Sequence, residues 1–249
     1  MNSEKTFLIL GASSDLGIGV IKTLNKEYEN SLFALHYHSD DAALKDIEWT
    51  NGNSALYFKA DFSTYEGIFS LIEALKEKDV SPTHILHLPS AKLIYTRLKD
   101  FDHERIEANA RIQVYSFVEI LKAFLPQMIK RKENDKVVAV LSSTILSTPD
   151  KSMLEYGMTK TMLLSVIKQL ATDNAGKKIN INAVSPSMIE TKFLSDIDSR
   201  IVEMAADGSS EKRNATVDDI VPSICFLLSD KSNYINGVNL NVSNGNVIC

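Results

Sequence analysis

Short, nearly unbroken apolar runs recur along the chain at Thr6–Leu10, Leu32–Tyr37, Ala55–Phe58, Ile85–Leu88, Val137–Leu141, Ile179–Val184 and Val238–Val242, and each has the length of a strand. Between them apolar residues return every three or four positions, which predicts helices over about Asp15–Tyr28, Asp40–Trp49, Tyr65–Lys78, Phe101–Lys132, Met153–Ala175 and Val217–Leu228. Val137-Val138-Ala139-Val140-Leu141 shows no polar alternation, the pattern of a strand covered on both faces. Gly176 followed by Lys177-Lys178 marks a helix end, with cations set against the negative end of its dipole. Strand and helix in regular alternation predict an α/β fold, a doubly wound parallel sheet of about seven strands with right-handed crossovers.

Composition narrows the class. The 249 residues contain no Pro/Gly/Ser-rich linker, so one domain over 1–249 is expected. No apolar run is long enough to span a bilayer and Met1 opens no basic-then-apolar leader, so a cytoplasmic location is expected. A net charge of −5 argues against nucleic-acid or anionic-membrane partners, and the only basic cluster is Lys130-Arg131-Lys132. Cys225 and Cys249 are too few for a disulfide framework, and neither they nor the five histidines show metal-ligand spacing.

Candidate chemistry collects where strands end. Phe7-Leu8-Ile9-Leu10 runs into Gly11-Ala12-Ser13-Ser14-Asp15-Leu16-Gly17, a strand, glycine turn and helix that lets backbone approach a pyrophosphate at a helix N-terminus. Tyr156 and Lys160 stand one helical turn apart, so the ammonium is placed to lower the phenol's pKa and make it a proton donor or base. Asp61, Ser90, Ser143 and Pro186 to Thr191 follow the third, fourth, fifth and sixth strands. All of them therefore fall on the carboxyl edge of one sheet, where ligands bind in such folds.

Together these motifs resemble the short-chain dehydrogenase/reductase family, closest to its 3-oxoacyl-carrier reductase subgroup. The glycine loop with Ser13, Ser14, Asp15 and Leu16, the Asp61-Phe62 pair, Asn109 in Ala108-Asn109-Ala110, the order Ser143, Tyr156, Lys160, the segment Pro186-Ser187-Met188-Ile189-Glu190-Thr191 and the closing Val242-Ser243-Asn244-Gly245 carry the likeness. The resemblance implies a Rossmann-type sheet and hydride transfer between nicotinamide and a carbonyl or secondary alcohol, a 3-oxoacyl thioester among the candidates. It casts Tyr156 as proton donor and Lys160 as holder of the ribose and of the phenol's pKa. Ser143 becomes the partner of the carbonyl oxygen, and Asn109 the holder of a water reaching Lys160. It also assigns Asp61 and Phe62 to the adenine, Ile189 and Thr191 to the carboxamide, and a homo-oligomer, tetramer or dimer, to the long helices.

The chain departs from the family at Leu88-Pro89-Ser90-Ala91, where Asn-Asn-Ala-Gly is usual; Leu88 and Ser90 border the cofactor site but Leu88 offers it no hydrogen bond. Asp15 replaces a loop glycine and is expected to cap the following helix. The second strand ends His36-Tyr37-His38-Ser39-Asp40 without an immediate acid, so His38 and Ser39 favour NADP(H) over NAD(H). The segment 193–213 is expected to lid the pocket, and Lys130–Lys132 to offer a surface to an acidic acyl carrier protein. A dinucleotide-binding regulator or scaffold of the same fold is the alternative reading.

Overall fold

The strands lie in the order β3-β2-β1-β4-β5-β6-β7, all parallel, in the computed structural model, which describes residues 4–248. They are β1 (Thr6–Leu10), β2 (Leu32–Tyr37), β3 (Ser54–Lys59), β4 (His84–His87), β5 (Asp135–Val140), β6 (Ile179–Pro186) and β7 (Asn239–Val242). The order reverses between β1 and β4, which opens a crevice at the carboxyl ends of those strands.

Side-chain alternation assigns the two faces. Leu8 and Leu10 join one core with Leu71, Ile120 and Leu163, contributed by α3 (Tyr65–Glu77), α5 (Ser116–Arg131) and α6 (Leu154–Asp173). Phe7 and Ile9 join the other with Val20, Ile21 and Ile224, from α1 (Asp15–Glu27) and α8 (Val217–Leu228). With helices on both faces, the absence of polar alternation in β5 is explained. Cys225 is buried in the α1/α8 core, where burial pushes its thiol up to about 12; Cys249 lies outside the described residues.

Two expectations change. The helix over Asp40–Trp49 contracts to α2 (Ala42–Lys45), because Asn25 captures the following backbone: its Nδ2 donates to Glu48 O at 2.9 Å and its Oδ1 accepts from Thr50 N at 3.2 Å. Trp49 then packs on Phe33, ring centroids 4.9 Å apart. The long helix over Phe101–Lys132 is α4 (His103–Ala110), a π turn Arg111–Tyr115 and then α5. Such a turn shifts the helical register by a residue and re-aims the side chains beyond it. Arg131 of the basic cluster donates to Asp135 at 2.6 Å, to Ser81 Oγ at 2.8 Å and to Pro82 O, bracing the start of β5. The cluster thus sits at the amino edge, six residues and about 20 Å from the carboxyl end of β5.

Candidate active site

Two glycines shape the loop after β1. Gly11 has φ +73°, and a Cβ there would lie 3.2 Å from Pro89 N; a Cβ on Gly17 would come within 2.5 Å of Ala12 O. Ser14, not Asp15, caps α1: its Oγ accepts from Gly17 N at 3.1 Å and donates to Gly11 O at 2.8 Å. Asp15 is the first helical residue, and its Oδ2 accepts the Lys192 backbone N–H at 2.7 Å, turning the carboxylate towards the lid segment.

His36 props the loop from below. Gly11 N donates to its Nδ1 at 3.2 Å, so Nε2 carries the proton and donates to Ala60 O at 3.1 Å. Its ring stacks on Phe62 with centroids 4.0 Å apart, and burial, opposed by the Ala60 bond, pulls its pKa down to about 4. His38 is exposed, with Nε2 3.7 Å from Asp61 Oδ1, so the β3 acid faces the histidine from the neighbouring strand. Ser39 follows it in the same exposed turn.

A cavity of about 620 Å³ runs along the carboxyl edge from the glycine loop. Ser13, Ser14, Asp15 and Leu16 line its loop end, Leu88 and Ser90 the wall after β4, and Pro186, Ile189 and Thr191 the wall after β6. Ser142, Ser143, Tyr156 and Lys160 line it between these walls. Gly11, Gly17, His38, Ser39, Asp61 and Phe62 do not line this cavity; they belong to the loop and to the ends of β2 and β3 beside it. A 3-10 turn, Lys192–Leu194, and α7 (Ser199–Gly208) contribute lining residues to it. Lys92 Nζ, from the loop after β4, reaches Asp196 Oδ2 at 2.5 Å.

The chemistry lies around Tyr156. Its side chain is partly buried, lines the cavity and is acted on by the Ser142 hydroxyl. Burial raises its pKa above the ordinary value, against the lowering by Ser142; a nearby Tyr95 adds to the rise. Lys160 Nζ donates to Val140 O at 3.2 Å and lies 5.7 Å from the Tyr156 ring centroid, and burial lowers its pKa to about 8. The Lys160 ammonium thus lies over the Tyr156 ring face, and burial is the largest influence on the phenol.

Two neighbours of the expected residues also reach the tyrosine helix. Ser142, the first residue after Leu141, lowers the Tyr156 pKa, and Ser143, which opens a 3-10 turn beside it, lines the same cavity. Asn109, on α4, lines a separate small cleft with Glu155, Tyr156 and Thr159 rather than the main cavity. Gln113, inside the π turn, is the amide that reaches the tyrosine helix: its Nε2 donates to Thr159 Oγ1 at 3.2 Å, and Oε1 accepts from Ser90 Oγ at 3.4 Å. Asn109 and Gln113 share one helical face, so only the π turn decides between them. Lys192 and Asp150 also line the cavity and carry no motif signal.

The residues fit a dinucleotide. A cradle that a Cβ would fill at Gly17, hydroxyls at Ser13 and Ser14, and the Lys192 cation lie at one end of a cavity whose other end holds Tyr156 and Lys160. Leu88 gives an apolar wall packed against Gly11. Among the described residues no cluster of His, Cys, Asp or Glu is placed to hold a metal ion, and no helix is long and apolar enough to cross a membrane.

Comparison with known proteins places this geometry. A family model described as enoyl-(acyl-carrier-protein) reductase matches residues 11–246. The uncharacterized oxidoreductase YmfI of Bacillus subtilis is 29% identical over 97% of this chain and 98% of its own. The 3-oxoacyl-[acyl-carrier-protein] reductase FabG of Buchnera aphidicola is 24% identical over 98% and 97% respectively. In fold, the chain superposes on L-sorbose reductase of Gluconobacter frateurii, solved with NADPH and L-sorbose, with TM-score 0.86 at 20% identity over 99% of this chain and 98% of that one. Levodione reductase gives TM-score 0.86 at 20% identity over 98% of both chains. With the family model spanning nearly the whole sheet and its carboxyl edge, the chain belongs to the short-chain dehydrogenase/reductase family of oxidoreductases.

Proposed function

We propose that this enzyme transfers hydride between NADP(H) or NAD(H) and a carbonyl or secondary-alcohol substrate. The observation that carries the reading is that Tyr156, Lys160 and the Ser142-Ser143 pair line one cavity together with Ser13 to Leu16 of the glycine loop. A nicotinamide dinucleotide held by Gly11 to Gly17, Lys160, Ile189 and Thr191 supplies the hydride. Tyr156 holds the proton that a reduced carbonyl oxygen takes up, and Ser142 donates to that oxygen as negative charge develops. Lys160 restrains the ribose and balances the charge of the phenolate. Met188, Phe193 and Leu194 exclude water from the substrate end.

The family model's description and the FabG relative support an acyl thioester as one substrate class, and the sugar and dione reductases of like fold support small polar ketones as another. A panel of ketones, alcohols and 3-oxoacyl thioesters, followed by nicotinamide absorbance with both cofactors, tests the function. Tyr156-dependent turnover supports it; stoichiometric cofactor binding without turnover across the panel would instead favour a regulatory protein of this fold.

The assembly reading is a homo-oligomer, a tetramer by preference. Tyr65, Phe69 and Tyr115 form an exposed aromatic ladder, with ring centroids 6.3 Å and 6.2 Å from Tyr65, and Met158 and Met162 of α6 are exposed as well.

A further inference from the structure

We propose that His87 is a positioning residue for the Tyr156–Lys160 pair, its Nδ1 accepting a hydrogen bond from the Lys160 ammonium through one bridging water. The inference rests on Tyr156 and Lys160 being the proton-handling pair.

His87 ends β4 and is fully buried. Its Nε2 lies 2.8 Å from Gln113 O, an atom that can only accept, so Nε2 carries the proton and Nδ1 presents a lone pair. That Nδ1 is buried with no hydrogen-bond partner among the described residues, a costly arrangement that needs an explanation. Burial, opposed by the Gln113 bond, pulls the imidazole down to about 3, with the Lys160 charge acting in the same direction as burial, so the ring is a neutral acceptor.

Lys160 is the matching donor. His87 pairs with Ala139 across the sheet, and the next residue, Val140, holds Lys160 Nζ at 3.2 Å through its carbonyl. An ammonium has three donors, and Val140 takes one. Gln113 joins the two sides, because its backbone accepts from His87 while its side chain donates to Thr159, the neighbour of Lys160. The π turn makes this junction by directing both groups of one residue towards β4 and α6. The other titratable groups around the pair are Tyr156, Tyr95, whose charge acts on Tyr156, and His36, whose charge acts on His87. The Arg105–Glu155 ion pair, 2.6 Å, ties α4 to α6 next to Tyr156. A water between Nδ1 and Nζ satisfies the buried acceptor and holds the ammonium charged at the base of the catalytic helix.

The test uses the unliganded full-length protein, so its outcome is independent of whether any carbonyl is turned over. Long-range ¹⁵N–¹H correlation of the histidines should show His87 neutral with the proton on Nε2 between pH 6 and 8; an imidazolium or an Nδ1–H tautomer would overturn the proposal. Lysine ¹³Cε titration should show Lys160 losing its proton about one pH unit earlier in His87→Leu, since the ammonium loses an acceptor. His87→Gln, whose amide can donate to Gln113 and accept from the water, should restore most of that shift. A histidine that only braces the π turn would leave the Lys160 titration unchanged, which counts against the proposal. Should His87→Leu fail to fold, Lys160→Met decides from the other side: the His87 Nδ1 resonance should move towards that of a free lone pair, and an unmoved resonance overturns the bridge.

Discussion

Ser142 lowers the pKa of Tyr156 beside it in the cavity, while Ser143 lines the same cavity from the 3-10 turn that follows. A donor aimed at the developing oxyanion is worth about 10²-fold in rate. Ser142→Ala should therefore cost about 10²-fold in kcat and Ser143→Ala less than about threefold, with Tyr156→Phe removing nearly all turnover while cofactor binding persists. Steady-state kinetics with a calorimetric binding check read this directly. The reverse order for the two serines would return the role to Ser143.

Three buried histidines make the fold acid-sensitive. His36 is held at about 4 and His84 and His87 at about 3, all chiefly by burial, against an ordinary value of 6.5. A depressed folded pKa means the unfolded chain binds protons that the native one refuses, so this stability is complete above pH 6.5 and is lost as pH falls towards 4. Asp135 acts oppositely: burial, opposed by Arg131, raises it to about 6, so its contribution is present at low pH and lost as pH rises through 6. Three groups that resist protonation less one that favours it leave about two protons. Between pH 5 and 6 the unfolding free energy should fall by about 2.7 kcal/mol per pH unit. Urea melts across that range check it, and a flat profile would mean the histidines are charged in the native state.

Asp15 links the cofactor loop to the lid through the Lys192 amide, 2.7 Å away. Asp15→Ala should loosen the segment over the cavity and raise KM for substrate several-fold, while Asp15→Asn, which keeps an acceptor oxygen, should stay within about twofold. Hydrogen exchange at 192–198 reports the loosening independently. Equal behaviour of the two variants would show that the contact does not hold the lid.

His38 lies 3.7 Å from Asp61, so the turn carries both an imidazole and a carboxylate. Discrimination between the two cofactors should be shallow, with NADP(H) ahead by about tenfold or less. His38→Asp should reverse that order, because a second carboxylate repels a 2′-phosphate. Titration calorimetry of both cofactors checks it; an NAD(H) preference in the unaltered protein would assign the turn to hydroxyl recognition.

Phe69 is half exposed within the Tyr65–Phe69–Tyr115 ladder. If this face is covered by a second copy, Phe69→Glu should shift sedimentation towards monomer at micromolar protein without changing the far-UV spectrum. A monomer before substitution would remove the assembly reading.

What the chain determined locally was legible as pattern. Apolar runs and three-to-four spacing defined the seven strands and the ends of α1 and α8, since both depend on which faces are covered. Gly11 and Gly17 announced the loop because a Cβ cannot be fitted there, and Tyr156 and Lys160 announced themselves by sharing a helical turn. Choices between near neighbours needed the tertiary structure. Ser142 or Ser143 turns on where the chain bends after β5; Asn109 or Gln113 turns on a π turn that no residue pattern signals. The Tyr156 pKa depends on burial, and burial is a property of everything packed around the side chain. His87 and Gln113 meet only because β4 and the π turn are folded against each other, a contact between residues that sequence spacing cannot bring into view.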